Sequence, residues 1–130
     1  MDNDNTLLLV EDEPALRDLI ALILEHQVGC RVVTAGDGME ALESFETLRP
    51  RAVVLDILLP YMNGLDLLRR LKEQGNLEQT GVIVISALGY PEVVRQAAEA
   101  GASDFLVKPF DPVVLAERVK SIFEPALIPA

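Results

Sequence analysis

Apolar residues along this chain fall into two alternating patterns. Short stretches with consecutive apolar residues at their centre occupy Thr6 to Val10, Arg31 to Thr34, Ala52 to Leu55, Val82 to Ile85 and Asp104 to Val107. Continuous aliphatic runs of this length predict strands buried on both faces, as in a parallel sheet. Between them, apolar residues recur at helical spacing: Leu16, Leu19, Ile20, Ile23 and Leu24, then Ala41, Leu42, Phe45 and Leu48, then Leu67, Leu68 and Leu71. A fourth helix is expected from Tyr90-Pro91 to Ala100, and a fifth carries Leu115, Val119, Ile122 and Phe123 inward. The punctuation agrees. Pro14 and Asp111-Pro112 suit first helical turns. Asp37 and Glu40 have capping-box-like spacing. Pro50, Asn63-Gly64 and Gly75-Asn76 mark breaks, Gly101 is a plausible C-cap, and Pro125 and Pro129 close a short tail.

Strand and helix thus alternate five times. This predicts an α/β fold, a single doubly wound five-stranded parallel sheet with helices on both faces, and right-handed crossovers leave few topologies. A chain of 130 residues, half of them apolar, suits one domain with its own core. No apolar run approaches the roughly 18 residues of a membrane span, and the acidic start Met1 to Asn5 lacks the basic region of a signal peptide. One cysteine, Cys30, forms no internal disulfide, so a reducing, cytoplasmic setting is expected. The single histidine, His26, leaves no histidine-based metal site or triad. A net charge of -10 opposes direct contact with nucleic acid or an anionic membrane.

The chemistry sits where the strands stop. The first ends at Glu11-Asp12, the third at Asp56, the fourth at Ser86 and the fifth at Lys108. In a parallel sheet these ends share one edge, outside which ligands bind. Three carboxylates there repel one another, and a hard divalent cation with oxygen ligands, Mg²⁺ above all, relieves that repulsion. Ser86 offers a hydroxyl and Lys108 a point charge for a phosphoryl oxygen. A carboxylate in such a setting can become an aspartyl-phosphate.

Glu11-Asp12, Asp56-x-x-x-Pro60-x-Met62-x-Gly64, Ser86-Ala87, Gly101-Ala102 and Lys108-Pro109-Phe110 occur in this order across about Thr6 to Phe123. In these motifs the sequence resembles a response-regulator receiver domain of two-component signalling, of the chemotaxis-regulator type. The resemblance implies a flavodoxin-like sheet of strand order 2-1-3-4-5, with a receiver over 1-123 and a tail or linker stub over 124-130. It implies that Asp56 is the phosphoacceptor. Glu11, Asp12, Asp56 and the backbone carbonyl of Leu58 match the Mg²⁺ site. Ser86, Ala87 and Lys108 match the groups that stabilise phosphate, Phe105 matches the aromatic switch, and the Lys108-Pro109 peptide is expected to be cis. The implied donor is a sensor histidine kinase or a histidine phosphotransfer protein. The implied reader is a downstream protein or output domain, with a phosphorylation-dependent dimer left open. Such a protein catalyses only its own phosphotransfer and is not a conventional enzyme.

The chain departs from common members at a few positions. Its acidic pair is Glu-Asp, its switch aromatic is Phe, and the residues two after Asp56 and Ser86 are Leu58 and Leu88. Apolar side chains there hold no attacking water, so slow hydrolysis of the phosphoryl group is expected. Alternation places Phe105 and Val107 on one face of the last strand, with Val114 and Arg118 on the adjoining helix. By resemblance Val94 lies near them, giving an apolar patch with a basic rim that suits partner docking. The alternatives are a non-phosphorylated pseudo-receiver scaffold, a haloacid-dehalogenase-type phosphohydrolase and a flavin module. Leu58 stands where the hydrolase wants a second aspartate, and Glu11-Asp12-Glu13 would repel a flavin phosphate.

Overall fold

The computed structural model describes residues 5–75 and 77–124. Asn76, Pro125, Pro129 and the acidic start as far as Asp4 lie outside them. The strands are β1 (Thr6–Val10), β2 (Arg31–Ala35), β3 (Ala52–Asp56), β4 (Gly81–Ser86) and β5 (Asp104–Val107). The helices that follow them in turn are α1 (Pro14–Gln27), α2 (Gly38–Leu48), α3 (Gly64–Glu73), α4 (Pro91–Ala100) and α5 (Pro112–Phe123). Every paired strand is parallel, and the order is β2-β1-β3-β4-β5, as the resemblance implied. Three strands run a residue or two longer than the apolar runs suggest: Ala35 joins β2, Asp56 joins β3, and Gly81 and Ser86 join β4. Strand pairing extends through these residues whether the side chain is apolar, as at the buried Ala35, or polar, as at Asp56 and Ser86.

Two-residue alternation splits the core into two layers. Leu8, Val10, Val53, Leu55, Val82 and Val84 face α2, α3 and α4. Leu7, Leu9, Val54, Ile83 and Ile85 face α1 and α5. The helix stripes land as expected with one exception. Ile20 and Leu24 of α1 are buried, but Leu19 is 52% exposed. Successive residues stand about 100° apart round a helix, which swings Leu19 off the sheet-facing arc that Ile20 centres. Residues 91, 112 and 14 are prolines at the first turns of α4, α5 and α1. The Asp37 carboxylate caps α2 by accepting from the Glu40 amide at 2.9 Å, while Glu40 reaches back one residue further than a capping box, to the Gly36 amide at 2.7 Å. Gly101 ends α4 with a φ of 116°, a left-handed conformation that suits glycine.

Candidate functional site

The polar strand ends converge on the carboxyl edge of the sheet. Parallel pairing sets Val10 beside Leu55 and Asp56 beside Ile85, so β1, β3 and β4 end nearly level at the centre of the sheet. Glu11 follows β1 directly, and its amide still donates to the Ala35 carbonyl at 3.0 Å. Glu11 and Asp56 are buried, while Asp12 is exposed. One carboxylate oxygen from each of the three lies within 4.8 Å of the others.

Lys108 crosses this cluster from the end of β5. Its ammonium donates to Asp56 Oδ2 at 2.6 Å and to Glu11 Oε1 at 3.0 Å. Glu11 Oε2 accepts from the Glu13 amide at 3.1 Å, and Asp56 Oδ1 accepts from the Leu58 amide at 3.0 Å. The two buried carboxylates therefore share a single cation. Burial pushes the Glu11 carboxyl above its ordinary value, against the Glu13 amide and the Lys108 ammonium, which pull it down. Burial works to lower the Lys108 ammonium, but the hydrogen bonds and charges of Asp56 and Glu11 more than offset this, and it titrates above an ordinary lysine.

The walls are set by backbone. The β3–α3 loop folds back so tightly that Gly64 donates to the Ile57 carbonyl at 2.7 Å. A Cβ at Gly64 would lie 2.4 Å from the Asp56 carbonyl oxygen and 2.7 Å from the Ile57 Cα, so only glycine fits. Asn63 caps α3, its side-chain oxygen accepting from the Leu65 amide at 2.7 Å. Opposite, the buried Ser86 hydroxyl accepts from the Leu88 amide at 3.0 Å, Ala87 is exposed, and the Lys108 amide donates to the Ser86 carbonyl at 2.8 Å. The Lys108-Pro109 peptide is cis. Leu58 stands half exposed beside Asp56, and Leu88 is half-buried.

Further along β5, Phe105 is half-buried and packs against the α2–α3–α4 layer. It shares a shallow cleft with Val94, Ala97, Ala98, Ala102 and Asp104. Val107 is exposed, and its side chain fills the space that a Cβ at Gly89 would need, 2.7 Å away. Val114 is half-buried on α5. Arg118 is exposed but paired with Asp104 at 2.5 Å, so the expected basic rim is locally neutralised. The pairing follows from Asp104 opening β5, a residue whose charge the apolar pattern does not weigh.

The capping role of Glu13 and the part played by Arg17 do not follow from the apolar pattern or the strand ends. Glu13 caps α1 by accepting from the Leu16 amide at 2.6 Å, and Arg17 donates from Nη1 to the Glu11 carbonyl at 3.2 Å. The spacing of Glu13 and Arg17, one helical turn, is the only signal that could have drawn attention to them.

The sequence profile described as response regulator receiver domain matches residues 7–120. Among curated relatives, the transcriptional regulatory protein CseB of Streptomyces coelicolor is 36% identical over 122 residues, which cover 94% of this chain and 50% of the relative. The DNA-binding response regulator MtrA of Mycolicibacterium smegmatis is 34% identical over 88% of this chain and 49% of its own length. The chain spans about half the length of these relatives. Among solved structures, the receiver domain of the Francisella response regulator 1452 superposes with a TM-score of 0.86 at 30% identity, covering 93% of this chain and 98% of that one. The chemotaxis protein CheY4 of Vibrio cholerae superposes with a TM-score of 0.83 at 27% identity, covering 90% of this chain and 97% of that one.

Proposed function

The chain belongs to the response regulator receiver domain family of two-component signalling, and from that premise we propose that it is switched by phosphorylation of Asp56. The observation that carries the proposal is the Lys108 ammonium held at 2.6 Å from Asp56 Oδ2 in a cluster with two further carboxylates, at the sheet edge where the buried Ser86 ends β4. An Asp56 carboxylate oxygen forms the new P–O bond as the P–N bond of a phosphohistidine breaks, and the electron pair leaves with the imidazole. The donor is a sensor histidine kinase or a histidine phosphotransfer protein.

The chemistry of the donor set fits Mg²⁺, since Glu11, Asp12 and Asp56 offer only hard oxygen atoms within 4.8 Å of one another. These three and the Leu58 carbonyl would hold the ion, which when bound offsets charge on the transferring phosphoryl group. Lys108 then exchanges its Asp56 contact for a phosphoryl oxygen. The Ser86 hydroxyl, which accepts from Leu88 at rest, turns to donate to another, and the exposed Ala87 amide supports the same group. Phe105 follows Ser86 inward. The cleft that Phe105 shares with Val94, together with Val107, Val114 and Arg118, is thereby reshaped for a downstream protein or an output domain. Phosphorylation-dependent dimerisation through this face is a further outcome, although apolar Val94 and Val114 provide no charged pair across a dimer.

No helix among the described residues is long and apolar enough to cross a membrane. The cytoplasm is the compartment in which we place the phosphotransfer. Leu58 and Leu88 border Asp56 without a polar group to orient water, so the acyl phosphate is long-lived; Leu58→Asn should shorten its lifetime, and equal decay rates would sink that part of the reading.

The direct test is intact-protein mass after incubation with Mg²⁺ and a small-molecule phosphodonor, with Asp56→Asn in parallel. One added phosphoryl group on the wild type and none on the variant is the expected result. A wild type that gains none while still binding Mg²⁺ favours a scaffold that works without phosphorylation.

A further inference from the structure

We infer that Arg17 is the positioning residue of the acidic loop, its guanidinium holding the Glu11–Asp12 main chain at the spacing a small divalent cation requires. The inference rests on the Mg²⁺ reading above and extends it to a residue that touches neither the ion nor the phosphoryl group.

The Glu11 peptide is where the chain leaves the sheet. Its N–H remains in the ladder, donating to the Ala35 carbonyl at 3.0 Å. Its carbonyl belongs to the bond that leads to Asp12, and this oxygen accepts from Arg17 Nη1 at 3.2 Å. On the other side of Asp12, Glu13 is held twice, by its amide on Glu11 Oε2 at 3.1 Å and by its own carboxylate on the Leu16 amide at 2.6 Å. Asp12 itself is exposed, yet its carboxylate must stay within 4.8 Å of two buried ones. An exposed side chain keeps such a place only if its main chain is held from both ends. The Arg17 contact is the hold on the sheet side.

The space for the guanidinium is also built. Arg17 is half-buried, and the β2–α2 turn passes beside it at Gly36. A Cβ at Gly36 would stand 3.2 Å from Arg17 Nη1 and 3.7 Å from Glu40 Oε1, the oxygen that accepts from the Gly36 amide at 2.7 Å. The missing side chain at Gly36 thus leaves the notch in which the guanidinium lies. A planar guanidinium reaches a carbonyl from a set direction, whereas a lysine ammonium on a flexible stem does not.

The sign of the effect separates positioning from plain electrostatics. A positive charge beside a cation site opposes the cation, so if charge alone mattered, removing Arg17 would tighten Mg²⁺ binding. Positioning predicts weaker binding. Mg²⁺ demands near-ideal octahedral geometry while Ca²⁺ tolerates irregular shells, so a displaced loop should penalise Mg²⁺ more.

The test is calorimetric titration of wild type, Arg17→Ala and Arg17→Lys with Mg²⁺ and with Ca²⁺, with circular dichroism to show that each variant is folded. Loss of an outer-shell partner should raise the Mg²⁺ dissociation constant about tenfold in both variants. Ca²⁺ affinity should fall by a smaller factor, so the ratio of the two affinities shifts, which general destabilisation would not produce. Unchanged or tighter Mg²⁺ binding in Arg17→Ala overturns the inference, as does an equal loss for both ions. A wild type that binds no Mg²⁺ overturns the metal reading itself, and the inference falls with it.

Discussion

The two loops that flank Asp56 are built to different standards. On one side, β3 turns into α3 through a segment with almost no slack. Gly64 sits against the Asp56 carbonyl where no Cβ fits, its amide is tied to Ile57, and Asn63 caps the helix. On the other side, β4 passes to α4 through Ala87, Leu88, Gly89 and Tyr90, and all but Leu88 are exposed. Tyr90 occupies the N-cap of α4 without a side-chain hydrogen bond, whereas Glu13, Asp37, Asn63 and Asp111 each cap their helices. One wall carries the Asp56 carboxylate and is tied by close backbone contacts and a helix cap. The other begins at Ser86, which is held by the Leu88 and Lys108 amides, and beyond it few directional contacts tie the loop among the described residues. Under the proposed phosphorylation of Asp56, that asymmetry would confine small-energy rearrangement to the weaker wall.

The comparison breaks most directly at Gly64. Gly64→Ala forces a methyl group into the Asp56 carbonyl and should cost about 3 kcal/mol by denaturant unfolding, with loss of phosphoacceptance. Gly89→Ala meets the Val107 side chain rather than backbone, and although the β-branched valine must shift, the change should cost less than at Gly64. A comparable loss at both positions would mean the walls are equally rigid.

Lys108 links the walls, and removing it should cost about 2 kcal/mol at neutral pH, discounted from a fully buried pair because its side chain is 22% exposed. The pH dependence has a definite sign. Because the native Lys108 ammonium titrates above its ordinary value of 10.5, its contribution is complete below that pH and is lost as pH rises beyond it. Glu11 contributes with the same sign in a lower pH range. Its native carboxyl titrates above the ordinary 4.5, so acidification toward that value stabilises the fold. Lys108→Ala removes the cation that restrains Glu11, so the variant should regain more stability than wild type between neutral pH and that range. A thermal midpoint that moves in parallel for both proteins across this range would rule this out.

Smaller effects sharpen the contrast. Asn63→Ala should cost about 1 kcal/mol, and Tyr90→Asp should gain somewhat less by supplying the missing cap. Tyr90→Asp should also blunt phosphorylation-induced chemical-shift changes around Phe105; an undiminished response would show that the loose wall is incidental. Last, without any substitution, amides of Ala87, Gly89 and Tyr90 should exchange with solvent faster than those of Leu59, Met62 and Gly64, each of which donates to a loop carbonyl.

Some of this was legible before any coordinates. Glu11, Asp12, Asp56, Ser86 and Lys108 were each readable as a polar stop after an apolar run, and parallel alternation alone sends such stops to one edge. Leu19 shows the limit of the same reading. It fits the helical period but lies off the arc that meets the sheet, and periodicity does not mark where an arc ends. Arg118 shows another limit, since its charge is met by Asp104, 14 residues earlier on a neighbouring element.

The sequence by itself determined the order of elements, the α/β class and the residues that stop each strand, because period, caps and prolines act over a few neighbouring residues. Only the tertiary structure decided how those stops meet. Lys108 reaches Glu11 across 97 positions and Asp56 across 52, and which carboxylates it finds depends on β1 and β3 lying side by side at the centre of the sheet. The unequal walls and the Arg17 contact belong to the same class. They arise from close approach between separate loops, and a close approach is a property of packing that no local pattern encodes.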